Sequence, residues 1–103
     1  MRNMHLTEGY CRRVVVRILG PLREVEERAV MEIDVEPGMS LIEVLKRLPE
    51  GLRKRVLLDG DIAPDILVLV NDVELSCLGS AEEVRVGADD IKEIVLIPVI
   101  HGG

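Results

Sequence analysis

The sequence predicts an α+β fold in which a mixed sheet of four to five strands wraps one main helix. Two segments of alternating apolar residues come first, one segment with helical periodicity follows, and further apolar segments with strand character come after it. This order, β-β-α-β-β-β without an internal repeat, is typical of a sheet that folds around a single helix. With 103 residues, the chain is long enough for one compact domain with one core.

Alternation predicts the first two strands. The first covers 13–19, where Val14, Val16 and Ile18 form one fully apolar face. A Gly-Pro pair ends it, and the second strand covers 29–36 with a similar alternation. The segment between them is too long for a tight hairpin, so we expect a wider loop.

A capping motif and a spacing of three and four residues predict the main helix. Ser40 and Glu43 have the spacing of a capping box, in which each side chain bonds the other residue's backbone amide. The apolar face of this helix consists of Leu41, Val44, Leu45 and Leu48. A short second helix over 52–59 is also predicted.

The remaining strands are predicted at 66–70, at 73–75 and at 94–99, with an acidic loop over 79–90. Both faces of the strands at 66–70 and 94–99 carry apolar residues, which is typical of strands covered on both faces. Pro98 lacks a backbone N–H, so we expect strand pairing to end there.

Strand parity places several apolar side chains on the sheet face opposite the helix. These outer-face residues are Leu19, Leu67, Leu69, Val95 and Ile97. An exposed apolar patch of this kind usually marks a partner site. The alternative is that the second helix or the N-terminal segment folds across it.

Charge and composition exclude several function classes. The net charge of -6 and a single aromatic residue, Tyr10, disfavour direct nucleic-acid binding. No apolar segment is long enough for a membrane span or a secretory signal, so we expect a cytoplasmic protein without membrane association. The two cysteines and two histidines lack metal-ligand spacing, so no metal site is predicted. Cys77 is expected to be buried and Cys11 to be a free thiol, with a disulfide between them left open.

The chain is predicted to consist of a flexible leader (1–12), a domain (13–99) and a flexible tail (100–103) ending in Gly102 and Gly103. Two residues without Cβ make a slim segment that can enter a narrow channel and present its carboxylate there. This carboxylate is the most conspicuous reactive group of the sequence.

Four segments, in their order along the chain, resemble the ubiquitin-fold sulfur carriers. They are 14–24 (VVVRILGPLRE), 35–48 (VEPGMSLIEVLKRL), 65–74 (DILVLVNDVE) and 89–99 (DDIKEIVLIPV), followed by the His-Gly-Gly ending. This family comprises the small subunit of molybdopterin synthase, the thiamine-pathway carrier and the ubiquitin-related modifier of tRNA thiolation.

The resemblance implies a β-grasp fold and a two-step activation. A ubiquitin-activating-type enzyme would use ATP and Mg²⁺ to adenylate the Gly103 carboxylate, and a sulfur donor would then convert it to a thiocarboxylate. The chain itself would bind no cofactor and would not be an enzyme, although it could be the small subunit of one. Further partners would be the large subunit of molybdopterin synthase or a tRNA-thiolation enzyme.

The same resemblance suggests residue roles. Gly103 would carry the acyl group, Gly102 would let the tail fit a channel, and His101 would be a linker residue. The expected partner-binding residues are Leu19, Leu75 and Ile97 from the resemblance, Leu67 and Val95 from strand parity, and Val99 at the end of the domain.

Two other functions remain open: conjugation of Gly103 to lysines of target proteins, and a non-covalent β-grasp interaction module. An enzymatic role is disfavoured, since the acidic cluster of Asp89, Asp90 and Glu93 has no nucleophile or ligand partner.

Overall fold

The computed structural model describes residues 12–86 and 91–99; the predicted tail and all of the predicted leader except Arg12 lie outside these ranges. In chain order, the strands and α-helices are β1 (Arg12–Ile18), β2 (Val30–Val35), α1 (Leu41–Leu45), α2 (Glu50–Val56), β3 (Leu57–Leu58), β4 (Asp61–Ile62), β5 (Ile66–Val70), β6 (Val73–Glu74) and β7 (Glu93–Pro98). Two short 3₁₀-helices cover Gly20–Glu24 and Leu75–Cys77. Each of the five predicted strands corresponds to an observed strand.

The main sheet has the strand order β2-β1-β7-β5-β6. β1 and β7 are parallel, and the other neighbouring pairs are antiparallel, so the sheet is mixed as predicted. β3 and β4 form a separate two-stranded hairpin. The last strand therefore lies in the middle of the sheet, with a neighbour on each side.

The core lies between one face of the sheet and the two helices. Val14, Val16 and Ile18 of β1 are all at most 1% exposed, which confirms the apolar face predicted for this strand. They pack with the buried residues of α1 and α2 in one cluster. Burial of such side chains away from water is the main stabilising term of the domain.

The predicted capping box is present at the start of α1. The Glu43 amide donates to the Ser40 hydroxyl at 3.3 Å, and the Ser40 amide donates to the Glu43 carboxylate at 2.8 Å. The α-helix is shorter than predicted because it ends at Leu45. A 3₁₀ turn continues it, in which the Leu48 amide donates to the Leu45 carbonyl at 3.2 Å, so that Leu48 still reaches the core.

The predicted acidic loop contributes to the core. Its buried side chains are Ala81, Val84 and Val86. The Leu41 amide donates to the Val84 carbonyl at 2.9 Å, and the Ile42 amide donates to the Ala81 carbonyl at 3.0 Å. The first amides of a helix have no partner within the helix, and here the loop supplies those partners.

The bounds predicted for the second helix are wrong. It covers 50–56 and not 52–59, because the chain reverses at Asp59 and Gly60 to form the β3–β4 hairpin. Both residues have positive φ angles, 52° and 82°. An Asp-Gly pair is a strong signal for such a turn, and this signal was present in the sequence.

The prediction that Cys77 is buried is wrong. The residue is a free cysteine at the end of the second 3₁₀-helix, and its side chain is exposed. In that segment it is Leu75 that packs against the core. Cys11 lies outside the described residues.

Candidate functional site

The candidate site begins where β7 ends. β7 pairs with β1 on one side and with β5 on the other, so its backbone is held along most of its length. The Val99 amide donates to the Asp65 carbonyl at 2.7 Å, which extends the pairing with β5 one residue beyond Pro98. The candidate tail residues His101, Gly102 and Gly103 lie outside the described residues. A segment that continues from Val99 thus starts from a fixed point.

The side chain of Asp65 forms an ion pair with Arg55. Arg55 of α2 contacts the Asp65 carboxylate through two hydrogen bonds, of 3.1 and 2.8 Å. These hydrogen bonds raise the pKa of Arg55. Paired contacts between a guanidinium and a carboxylate fix orientation as well as distance. The pair therefore connects α2 to the residue whose carbonyl holds Val99.

The first 3₁₀-helix lies close to the same exit. The Leu19 amide donates to the Leu96 carbonyl at 3.1 Å, and the chain then turns through Gly20, whose φ is +60°. A Cβ placed on Gly20 would lie 3.9 Å from the Pro98 side chain. Leu19 is 41% exposed, so this end of β1 presents an apolar side chain near the end of β7.

The outer face of the sheet carries the apolar patch that strand parity predicted. Leu67 pairs with Ile97, and Leu69 pairs with Val95, so that the four side chains share one face. Val95 is 7% exposed but does not belong to the core cluster, and the other three are half-buried. We call these four residues the outer patch.

The two helices leave the outer patch uncovered. Leu52 and Val56 of α2 are buried in the core on the opposite face, so the alternative that the second helix covers the patch is wrong. The leader, which was the other possible cover, lies outside the described residues apart from Arg12.

Charged residues occupy the outer face beside the patch. Arg13 of β1 contacts Glu32 and Asp34 of β2 at 3.3 and 3.2 Å. Arg17 contacts Glu93 at 3.1 Å, at the border between β1 and β7. These ion pairs thus lie on β1, β2 and the start of β7, whereas the outer patch lies on β7 and β5.

The structure separates the predicted partner-binding residues into three positions. Leu67, Val95 and Ile97 lie in the outer patch, while Leu19 and Val99, which is 40% exposed, lie near the exit of β7. Leu75 lies apart from the patch, in the second 3₁₀-helix, where it is half-buried. Their role in partner binding stays a prediction.

Sequence reasoning missed the Arg55–Asp65 pair. The two residues are ten positions apart, one in a helix and one before a strand, and no periodicity connects them. Only the docking of α2 beside the start of β5 brings them together.

Two further features are absent from the described residues. None of their helices has the length and apolar composition needed to cross a membrane. Their His, Cys, Asp and Glu side chains form no group of three or more that could hold a metal ion.

Comparisons with known proteins identify the fold. No protein-family model and no curated protein sequence matches the chain. Among solved structures, SAMP1 from Haloferax volcanii matches with a TM-score of 0.72 and 23% identity, over 89% of this chain and 100% of that one. The chain has a β-grasp, ubiquitin-like fold.

Two further structures support the same fold. Urm1 from Trypanosoma brucei matches with a TM-score of 0.67 and 22% identity, over 90% of this chain and 97% of that one. The structure of the Amycolatopsis orientalis BexX/CysO complex matches with a TM-score of 0.68 and 22% identity, over 87% of this chain and 99% of that one. The fold predicted from the resemblance is thus confirmed.

Proposed function

We propose that this β-grasp domain is a small sulfur carrier. In this proposal a ubiquitin-activating-type enzyme adenylates the Gly103 carboxylate with ATP and Mg²⁺, and a sulfur donor converts the product to a thiocarboxylate. The observation that carries the proposal is the anchored end of β7. It lies beside an apolar patch that the two helices leave uncovered, and it precedes a His-Gly-Gly segment by only a few residues.

The chemistry of the carboxylate determines which steps the activating enzyme must perform. A carboxylate is a poor electrophile, so its oxygen must first become part of a good leaving group. Adenylation does this by forming an acyl-phosphate bond and releasing pyrophosphate. Sulfur then attacks the acyl carbon, and AMP leaves with the original oxygen. The sequence contains no Gly-rich phosphate-binding motif, so the partner would bind the nucleotide and stabilise the developing charge.

Intact-mass measurement tests this function directly. The chain is incubated with the cognate activating enzyme, ATP, Mg²⁺ and a sulfide source. We expect a gain of about 16 Da, from exchange of one oxygen for sulfur. A variant lacking Gly102 and Gly103 is the matched control and should keep its mass. An unchanged mass of the full chain, with an activating enzyme proven active on another carrier, would contradict the proposal.

The receiving pathway would be molybdopterin synthesis or tRNA thiolation. Affinity purification of the thiocarboxylated chain distinguishes them. Recovery of a large subunit of molybdopterin synthase indicates the first pathway, and recovery of a tRNA-thiolating enzyme indicates the second.

Protein modification is a second candidate. It is favoured by the match to a Methanosarcina acetivorans protein described as small archaeal modifier protein 1, with a TM-score of 0.69 and 23% identity. If the chain is conjugated, proteolysis of cell extracts should leave lysines bearing a remnant that ends in Gly102 and Gly103. The remnant must include residues N-terminal to the two glycines, because diglycine alone does not identify this chain.

A further inference from the structure

A groove of about 350 Å³ lies beside β5, on the side away from β7. The β3–β4 hairpin and the residues after it border one side, and the second 3₁₀-helix and the following turn border the other. Ile66, Leu67 and Val68 of β5 form one wall. The groove is distinct from the outer patch, with Leu67 as the residue that both share.

The wall formed by β5 is an incompletely paired strand edge. β6 pairs with β5 only at Leu69 and Val70, and no other strand of the described residues lies on that side of β5. Along Ile66–Val68 the edge therefore faces the groove. Such an edge is a template for pairing with another extended chain.

Backbone parity shows which groups face the groove. The Asp65 carbonyl accepts from Val99 at 2.7 Å, and the Asn71 amide donates to Glu93 at 2.9 Å, so these odd-numbered residues direct their backbone groups toward β7. In an antiparallel ladder the intervening residues direct theirs to the opposite side. Ile66 and Val68 thus turn their backbone groups toward the groove. The Ile66 amide already donates to Ala63 at 3.0 Å, which leaves its carbonyl for a partner.

Several residues that line the groove are small, and two others carry negative charge. The small residues Ala63, Gly79 and Ala81 line the groove, with Leu75 as a larger apolar contact. Asp61 and Glu74 are both exposed and both line it, and among the described residues that line it there is no lysine, arginine or histidine. The groove therefore complements an extended segment that carries positive charge beside an apolar side chain.

We propose that this groove binds an extended, basic peptide segment of a partner protein, which adds to β5 as a further strand along Ile66–Val68. Main-chain hydrogen bonds to the strand edge would supply affinity, and the small-residue pocket and the two carboxylates would supply selectivity. This interaction does not require Gly103, so it can be tested independently of the carrier function.

The test is an NMR titration of the ¹⁵N-labelled full chain with a synthetic seven-residue peptide of alternating valine and lysine. We expect the largest shift changes at the amides of Ile66–Val68 and of Ala63 and Ala81. The same peptide with glutamate in place of lysine should bind at least about tenfold more weakly, which corresponds to 1.4 kcal/mol. A peptide whose groove-pairing amides are N-methylated should also lose binding.

Isosteric variants test the charge argument. Asp61→Asn and Glu74→Gln together should weaken binding of the lysine peptide about tenfold. They should leave the fold intact, since the Asp61→Asn side chain keeps a carbonyl oxygen as acceptor for the Ile62 amide, which in the original chain donates to the Asp61 carboxylate at 2.7 Å. Glu32→Gln, on the far strand of the sheet, is the matched control and should not change the affinity.

Three results would overturn the proposal: no shift change around the groove at millimolar lysine peptide, equal binding of the glutamate peptide, or shift changes confined to the outer patch.

Discussion

Ser40 is 3% exposed and lies where the backbone enters α1. Its hydroxyl accepts from the Glu43 amide, and its own amide is held by the Glu43 carboxylate, so two backbone donors at the helix start are satisfied. The same Ser-x-x-Glu spacing occurs at Ser80 and Glu83, where the corresponding contacts are 3.2 and 3.0 Å. Ser80, however, lies on a single turn and is more exposed than Ser40.

We predict that Ser40→Ala lowers the free energy of unfolding by about 0.5–2 kcal/mol, because the Glu43 amide in the first turn of α1 loses its acceptor. Ser80→Ala should cost less, since water can replace the lost acceptor there. Urea unfolding of both variants measures the difference. Equal losses would show that burial of the cap does not matter.

The cap also predicts a pH dependence. Hydrogen bonds from the backbone and side chain of Ser40 hold the pKa of Glu43 below its ordinary value of 4.5, with smaller contributions from Arg85 and Lys46. The folded state therefore favours the carboxylate. The resulting stabilisation is present above pH 4.5 and is lost as the pH falls through the lowered pKa.

Glu43→Gln should accordingly be less stable than the original chain at neutral pH, and the difference should shrink at about pH 3. Urea unfolding at both pH values measures this. Glu82→Gln, at an exposed position outside the cap, is the control. A difference that is independent of pH would contradict the assignment.

Two glycines should respond to alanine in opposite ways. Gly60 has a φ of +82° in the hairpin turn, so Gly60→Ala should destabilise the protein by about 1 kcal/mol through backbone strain. Gly51 lies in α2, and a Cβ there would meet the Val25 carbonyl at an ordinary 3.6 Å. Gly51→Ala should therefore stabilise by about 0.5 kcal/mol. Thermal unfolding of the two variants checks both signs.

Among the elements, α2 is connected to the end of β7 through Asp65. The Arg55 and Asp65 side chains are 36% and 37% exposed, so water weakens their attraction. The two-point contact nonetheless restricts Asp65, whose carbonyl accepts from Val99. The ion pair thus restricts the position of Asp65 more than it stabilises the fold.

We predict that Arg55→Met costs at most about 1 kcal/mol of global stability. Exchange of the Val99 amide with solvent should become about fivefold faster, because its local opening becomes easier. Hydrogen exchange followed by NMR measures this. Arg53→Met, in the same helix, is the control and should leave the Val99 rate unchanged. Equal acceleration in both variants would indicate general loosening of α2.

For the molecule as a whole, the proposed function makes the outer patch and the end of β7 the surface that an activating partner would contact. A lysine in the patch would have to be desolvated against that partner, whereas in the free protein it can extend to water. The substitution should therefore affect partner binding more than folding.

Ile97→Lys is expected to lower kcat/KM for adenylation of the chain by tenfold or more, with little change in the thermal unfolding midpoint. Leu58→Lys is the matched control, since Leu58 is 55% exposed on the β3–β4 hairpin. It should leave the kinetics unchanged. A normal kcat/KM for the Ile97 variant would remove the outer patch from the partner interface.

Local sequence patterns predict most of the secondary-structure elements. Alternation along 13–19, the Ser40–Glu43 spacing and the apolar segment at 66–70 predicted their elements, because side-chain period and capping chemistry act over a few residues. Strand parity even placed Leu67 and Ile97 on one face. The β3–β4 hairpin is also locally encoded, by an Asp-Gly pair that the sequence-based prediction places at the end of the second helix.

Other features required the assembled molecule. The contact between Arg55 and Asp65, the loop carbonyls that receive the first amides of α1, and the open edge of β5 all depend on segments distant in sequence. Their positions follow from how the sheet packs on the helices. A single sequence carries no periodic signal for contacts between such distant segments. Local interactions thus determine which elements form, and packing determines which of their polar groups meet or remain available to a partner.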